Sequence, residues 1–249
     1  MKAKTLVSTA VLLLLVMLGS AIAQKDKKWT DWNKKEADKM LNDSPWAKTQ
    51  TETDTREGFF TPTSAAGVNG AGSTANDSRR GVQGATNQSA SVDYIVRFFS
   101  ARPIRQALAR SIELNQSAMD PAAVTRLHGF GEVKSTDSII VTVTFKGAAG
   151  SDARSVNPVM QAFNGATTGT LKNNTYLQRS DGKQLFLEEY VPPGKDGFGA
   201  RFIFLRMPDG KLFIDSSSKE IRFYSQFDVV KVDRRFKVAD MMYEGELEY

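Results

Sequence analysis

One stretch constrains this chain more than any other. Residues 61–91 are dominated by Gly, Ser, Asn, Ala and Thr, with only Val68 and Val82 as larger apolar groups. A segment of that composition cannot bury enough surface to offset its ordering entropy, so it reads as a flexible loop. Any core must be built by what flanks it. The expected organisation is a signal peptide over 1–23, an amphipathic helix and strand over 24–60, the loop over 61–91 and a core domain over 92–249.

The first 23 residues carry the marks of an export signal. Lys2 and Lys4 precede an uncharged core from Leu6 to Leu18, and Ala21-Ile22-Ala23 supplies small residues just before Gln24. Ala21, Ala23 and Gln24 therefore mark the expected cleavage site. The apolar core is shorter than the roughly 20 residues of a spanning helix, which favours cleavage over anchoring. Residues 24–249 hold no second apolar run of that length, so no stable membrane span is expected after cleavage. The expected location is periplasmic or extracellular.

The chain has no cysteine, which excludes disulfides, thiolate catalysis, Cys-ligated metals and a lipid-bearing N-terminal cysteine. An exported chain of this kind must rest on its core alone. The formal net charge is +5, and removal of Lys2 and Lys4 leaves +3. So small a residue of charge argues weakly for polyanion binding, and nucleic acid is not an expected partner.

Periodicity sets the fold class. Trp32, Glu36, Ala37, Met40 and Leu41 fall at helical spacing; Thr30 or Asp31 can cap the start, and Ser44-Pro45 stops the run. Thr49, Thr51, Thr53 and Thr55 alternate as a strand does within 47–57. Val92, Tyr94, Val96 and Phe98 alternate with Asp93 and Arg97. Pro103 then opens a helix with an apolar stripe of Ile104, Leu108 and Ile112, reaching about Asn115, and Asp120-Pro121 starts another short helical turn. Ile139, Val141, Val143 and Phe145 form the cleanest half-buried strand. Asp181-Gly182 and Asp209-Gly210 each read as a tight hairpin turn in a C-terminal antiparallel meander, and Ile221, Phe223 and Phe227 mark a further strand. The expected class is α+β, a mainly antiparallel sheet with a few helices on one face.

Catalytic templates fail one after another. His128, the single histidine, sits in Leu127-His128-Gly129-Phe130-Gly131 and reads as a turn or surface residue, with no sequence-placed nucleophile or acid. One His and no Cys leave zinc unsupported. Ser216-Ser217-Ser218-Lys219 matches S-x-x-K, but between two predicted strands rather than at a helix start, and its companion motifs are missing. Glu188 and Glu189 are adjacent in a strand and point to opposite faces. Gly67, Gly70 and Gly72 lack the phosphate-binding order. No catalytic residue, metal ligand or cofactor is assigned.

Two clusters remain. Trp29, Trp32 and Trp46 are all the tryptophans of the chain and lie in one short segment. They read either as clamps fixing the helix to its own domain or as a partner surface. Arg97, Arg102, Arg105 and Arg110 share one strand–helix unit and read either as a solvated face or as an anion contact.

The run from Lys34 to Lys48, with its Leu41-Asn42-Asp43-Ser44-Pro45-Trp46, resembles one found in uncharacterised exported bacterial proteins. These share a signal peptide, a tryptophan-bearing helix ending in Leu-Asn-x-Ser-Pro-Trp and a β-rich remainder. The closing run from Phe236 to Tyr249 is also similar to theirs. The resemblance covers the two ends and implies no activity. The first expectation is therefore an exported, non-enzymatic protein acting through surface contacts with a protein or envelope component. The second is a hydrolase acting on an envelope or extracellular polymer.

Overall fold

Asn33 starts the first helix. Its side chain accepts from the Glu36 N–H at 3.0 Å, and the Glu36 carboxylate accepts from the Asn33 N–H at 2.7 Å, a reciprocal cap that opens α1 at Lys34–Asn42. The cap is thus Asn33 rather than Thr30 or Asp31, because Trp29–Asp31 closes a separate 3₁₀ turn. Trp32 and Ala37 occupy the flanking positions of a hydrophobic staple, and both are buried. The Ser44 hydroxyl donates to the Met40 carbonyl at 2.7 Å as the helix ends before Pro45. This computed structural model describes residues 27–54, 90–116, 118–149 and 156–249. The signal segment and its cleavage site at Ala21, Ala23 and Gln24, and the glycine-rich stretch up to residue 89, lie outside the described residues.

After α1 come β1 (Ala47–Asp54), β2 (Ala90–Phe98), α2 (Arg102–Asn115), α3 (Pro121–Glu132) and β3 (Ser138–Gly147). Two short helices follow, α4 (Val156–Gly165) and α5 (Thr168–Leu171). Then come β4 (Thr175–Arg179), β5 (Gln184–Phe186), β6 (Glu189–Val191), β7 (Ala200–Leu205), β8 (Glu220–Phe227) and β9 (Val230–Lys237). A ribbon of β10 (Met242–Tyr243) and β11 (Glu246–Leu247) closes the described chain. One sheet has the order β1-β2-β3-β7-β6 and a second the order β5-β4-β8-β9. Their pairings are antiparallel. Together with the helices this is an α+β fold, as the periodicities imply.

The alternating apolar residues become the core. Val92, Tyr94, Val96 and Phe98 of β2 and Ile139, Val141 and Val143 of β3 are buried, as are Phe202 and Phe204 of β7. They meet the inner face of the second sheet: Phe98 stands edge-on to Phe236 at 4.9 Å, and Phe202 lies 5.2 Å from Phe223. Each such side chain contributes about 1.5–3 kcal/mol of burial. From α4, Phe163 inserts at one end, stacked on Phe145 at 4.9 Å and edge-on to Phe227 at 5.3 Å. The sheets are also joined along one edge. Gln50 of β1 donates to the Lys231 carbonyl and accepts from the Asp233 N–H, both at 2.8 Å, satisfying backbone groups that β9 would otherwise expose.

The C-terminal third is not one meander. β6 and β7 join β3 in the first sheet, while β8 and β9 belong to the second. Asp181-Gly182 does turn β4 into β5, with Gly182 at φ +88. Asp209 and Gly210 also take positive φ, 56 and 72, but inside a 3₁₀ turn over Pro208–Gly210. The Phe213 N–H returns to the Arg206 carbonyl at 3.0 Å, and the chain then crosses to the other sheet instead of pairing β7 with β8. His128 is likewise in a helix, α3, rather than a turn.

Candidate binding cleft

All three tryptophans are interior. Trp29 and Trp32 are each 8% exposed and Trp46 is 4% exposed. The Trp29 indole N–H donates to the Glu132 carboxylate at 2.8 Å, and its ring meets His128 edge-on at 4.9 Å. The Trp32 carbonyl accepts from Arg110 Nε at 2.7 Å. The Trp46 indole N–H donates to the Glu248 carbonyl at 2.7 Å, and its ring is edge-on to Tyr243 at 5.9 Å. Trp29 and Trp46 are thus buried anchors with their indole N–H groups satisfied.

The four arginines do not form a solvated face. Arg105 is 4% exposed and donates to the Phe99, Ser100 and Val133 carbonyls, tying the start of α2 to the end of α3. Burial lowers its pKa, against the pull of the nearby Glu248 carboxylate. Arg97 reaches out of β2 to the Leu41 carbonyl at 2.5 Å, Thr144 Oγ1 at 2.8 Å and Asn42 Oδ1 at 3.1 Å. It thereby docks α1 on the first sheet, and burial pulls its pKa down to about 10. Arg102 pairs with Glu248 at 3.2 Å and Glu244 at 2.9 Å. Arg110 pairs with Glu113 at 3.0 Å. Each guanidinium has partners inside the fold: those of Arg102, Arg105 and Arg110 because α2 is packed between α1 and α3, and that of Arg97 because α1 lies against β2.

Trp32 and Trp46, but not Trp29, line a cleft of about 600 Å³ between α1 and the C-terminal ribbon. Its floor is Trp32, Pro45 and Trp46, and its walls are Met40 from α1 and Met242 and Tyr243 from β10. Met242 is 47% exposed, a large apolar side chain held at the mouth. The volume falls in the range of ligand sites, and thioethers adapt to irregular apolar guests. Tyr243 is fixed on three sides. Its hydroxyl donates to Gln106 Oε1 at 2.6 Å, Arg102 lies 5.3 Å over its ring, and Trp46 abuts its edge. Burial, helped by the Glu244 charge, pushes its phenol up to about 12.

The rim is acidic. Glu36, Asp43, Asp240 and Glu244 line it beside Lys27 and Lys39, while Arg102 holds Glu244 at 2.9 Å and Lys48 lies 4.0 Å from Asp43. Lys27 is spent on Glu36 at 2.7 Å, and this contact with the Asn33 N–H holds the Glu36 carboxyl below its usual range. Asp240 makes no ion pair among the described residues, so a guest carrying positive charge is favoured.

The other sequence candidates have plain structural surroundings. His128 Nε2 meets Glu113, which Arg110 also holds. Ser217 and Ser218 fold around Asp215, whose carboxylate accepts from both backbone N–H groups and both hydroxyls, and these bonds lower its pKa. Lys219 is exposed beyond that turn. Glu188 and Glu189 are both exposed, at and beside edge strand β6. Among the described residues no group of His, Asp and Glu is arranged to hold a metal ion. No described helix is long and apolar enough to cross a membrane.

The floor of this cleft is legible in the sequence through Trp32 and Trp46, and its walls are not. Met40 was legible only as one apolar position of an amphipathic helix, and Met242, Tyr243 and Asp240 lie about 200 residues away from it. The adjacent Met241-Met242 pair was the available signal: Met241 is buried and Met242 is not. Comparison with protein-family models, with curated proteins and with solved structures finds no match for this chain.

Proposed function

We propose that this is an exported, non-enzymatic binding protein that works in the cell envelope or outside the cell. Its cleft takes an extended segment of a partner protein bearing an apolar side chain flanked by basic residues. One observation carries this reading: a tryptophan-floored, methionine-walled cleft of about 600 Å³ lies open beneath an acidic rim. Apolar walls supply affinity through burial and the rim selects the flanking charge. The signal-like N-terminal sequence supports the location.

A short peptide alternating leucine and lysine serves as the probe, titrated against the full chain by tryptophan fluorescence. Binding should weaken about tenfold when Met242→Lys places a cation at the mouth. The same peptide with glutamate for lysine should bind less well. Equal binding of both peptides, or no effect of Met242→Lys, would contradict the reading.

A further inference from the structure

We infer that the solvent-facing side of the second sheet binds a linear polysaccharide that carries carboxylate groups. The sheet alternates cleanly. Leu177, Ile221, Phe223, Val232 and Phe236 point into the core, so their neighbours point out. Register aligns those neighbours in rows across the strands. One row runs Phe186, Tyr176, Tyr224, Asp233, and the next runs Gln184, Gln178, Arg222, Arg235. Tyr176 and Tyr224 stack at 5.1 Å, and Phe186, 46% exposed, lies 5.9 Å from Tyr176 at the edge strand. A solvent-facing aromatic row thus lies beside a row of side-chain amides and guanidinium groups.

The chemistry of the rows fits sugars. Aromatic rings attract the positively polarised C–H groups of a sugar, and amides and phenols both donate and accept to its hydroxyls. The face is also long. From Glu220 to Phe227, β8 spans ~23 Å at about 3.3 Å per residue, room for several sugar units in line. A hollow lies at each end of it. One of about 190 Å³ is lined by Gln178, Glu220, Arg222 and Arg235, and one of about 400 Å³ by Asn174, Tyr224, Gln226 and Asp228.

Charge selects the polymer. On the strands Arg222, Lys231, Arg235 and Lys237 face Asp233 and Glu220, four cations against two acids, and Asp228 adds one acid at the β8–β9 turn. Arg222 is locked to Asp233 by bonds of 2.7 and 2.5 Å and lies 4.9 Å over the Tyr224 ring, which holds the platform in place. Arg235, although 2.9 Å from Glu220, is 62% exposed, and Lys231 and Lys237 are exposed without an ion pair among the described residues. Lys231 and Lys237 remain for a ligand, and Arg235 adds the guanidinium N–H groups that Glu220 does not take. A nucleic acid, charged at every unit, would meet Asp233 and Glu220 and lacks a continuous basic groove here. Spaced carboxylates among hydroxyls match the alternation.

Affinity electrophoresis of the full chain tests this, with sodium alginate, neutral hydroxyethyl cellulose or a single-stranded oligonucleotide cast in the gel. Alginate should retard the protein most. The double substitution Lys231→Glu with Arg235→Glu should raise the apparent dissociation constant about tenfold, and Lys237→Glu should raise it less. These positions are exposed, so an unchanged melting curve confirms that the variants fold. Met242→Ala, in the cleft, should leave retardation unchanged, which separates this site from the first. The inference is overturned if alginate gives no retardation, if it retards the double variant as it does the parent, or if cellulose or the oligonucleotide retards as strongly.

Discussion

The indole N–H of Trp46 donates to the carbonyl oxygen of Glu248 at 2.7 Å, joining residues 202 positions apart. Trp46 stands where α1 gives way to β1, and Glu248 follows the last strand of the C-terminal ribbon. The Glu248 carboxylate in turn pairs with Arg102 at 3.2 Å and accepts from the Arg102 backbone N–H at 3.1 Å, at the start of α2. The indole therefore holds the α1 side of the cleft to the ribbon, and the carboxylate holds the ribbon to the start of α2.

Replacing Trp46 should show the anchoring directly. Trp46→Phe keeps an aromatic ring but leaves the buried Glu248 carbonyl without its donor, at a cost of about 1–2 kcal/mol. Trp46→Ala adds a cavity and should cost about 3–5 kcal/mol. Urea denaturation of the two variants measures both.

The Arg102–Glu248 pair gives a second test. Their side chains are only 12% and 10% exposed. Glu248→Gln leaves Arg102 with the exposed Glu244 and removes the charge that offsets Arg105, costing about 3 kcal/mol. Replacing Arg102 and Glu248 together by methionine should cost less than the sum of the single changes. A double-mutant cycle reads the difference.

Glycines separate free positions from forced ones. Gly129 lies inside α3 with nothing within 4 Å of an added Cβ, so Gly129→Ala should stabilise by about 0.5–1 kcal/mol through helix propensity. Gly199 sits at φ +84, and a Cβ there would lie 2.5 Å from the Val143 carbonyl oxygen. Gly199→Ala should therefore cost about 3 kcal/mol or more as β7 is pushed off β3. Thermal melts give both signs.

Tyr243 makes alkaline stability a readout of the ribbon. Its phenol rises from 10.0 to about 12 on folding, so the folded chain keeps a proton that the unfolded chain loses. The stability it contributes is fully present below pH 10 and is lost as pH rises through about 12. Tyr243→Phe should flatten the fall in stability between pH 10 and 12. It should not abolish it, because burial also pushes Tyr94 up to about 12. Urea midpoints at stepped pH report the slope.

Local patterning made β2 and β3 legible, because Val92 and Ile139 each begin a buried stripe. In α2 only Ile104 of the expected stripe is buried; Leu108 and Ile112 are half-buried, and Arg105, Gln106 and Ala109 are buried instead. The partnership of β3 with β7 was not legible. It depends on Gly199 admitting the strand against the Val143 backbone, a contact no periodicity encodes. Asp209-Gly210 shows the same limit: its positive φ values follow from residue type, but where the chain goes next is set by the two sheets. Arg105 looked like a surface residue because charge usually is. Its burial is possible only because three carbonyls from the ends of β2 and α3 converge on it. The cleft was half legible, floor without walls, since α1 and the ribbon meet only through tertiary packing.

Hydrogen exchange on the full chain, with and without the leucine–lysine peptide, tests the binding cleft most directly. Slower exchange at residues 36–46 and 240–247 in the presence of the peptide is the predicted result. Unchanged exchange in both segments, or protection confined to β8 and β9, would contradict it.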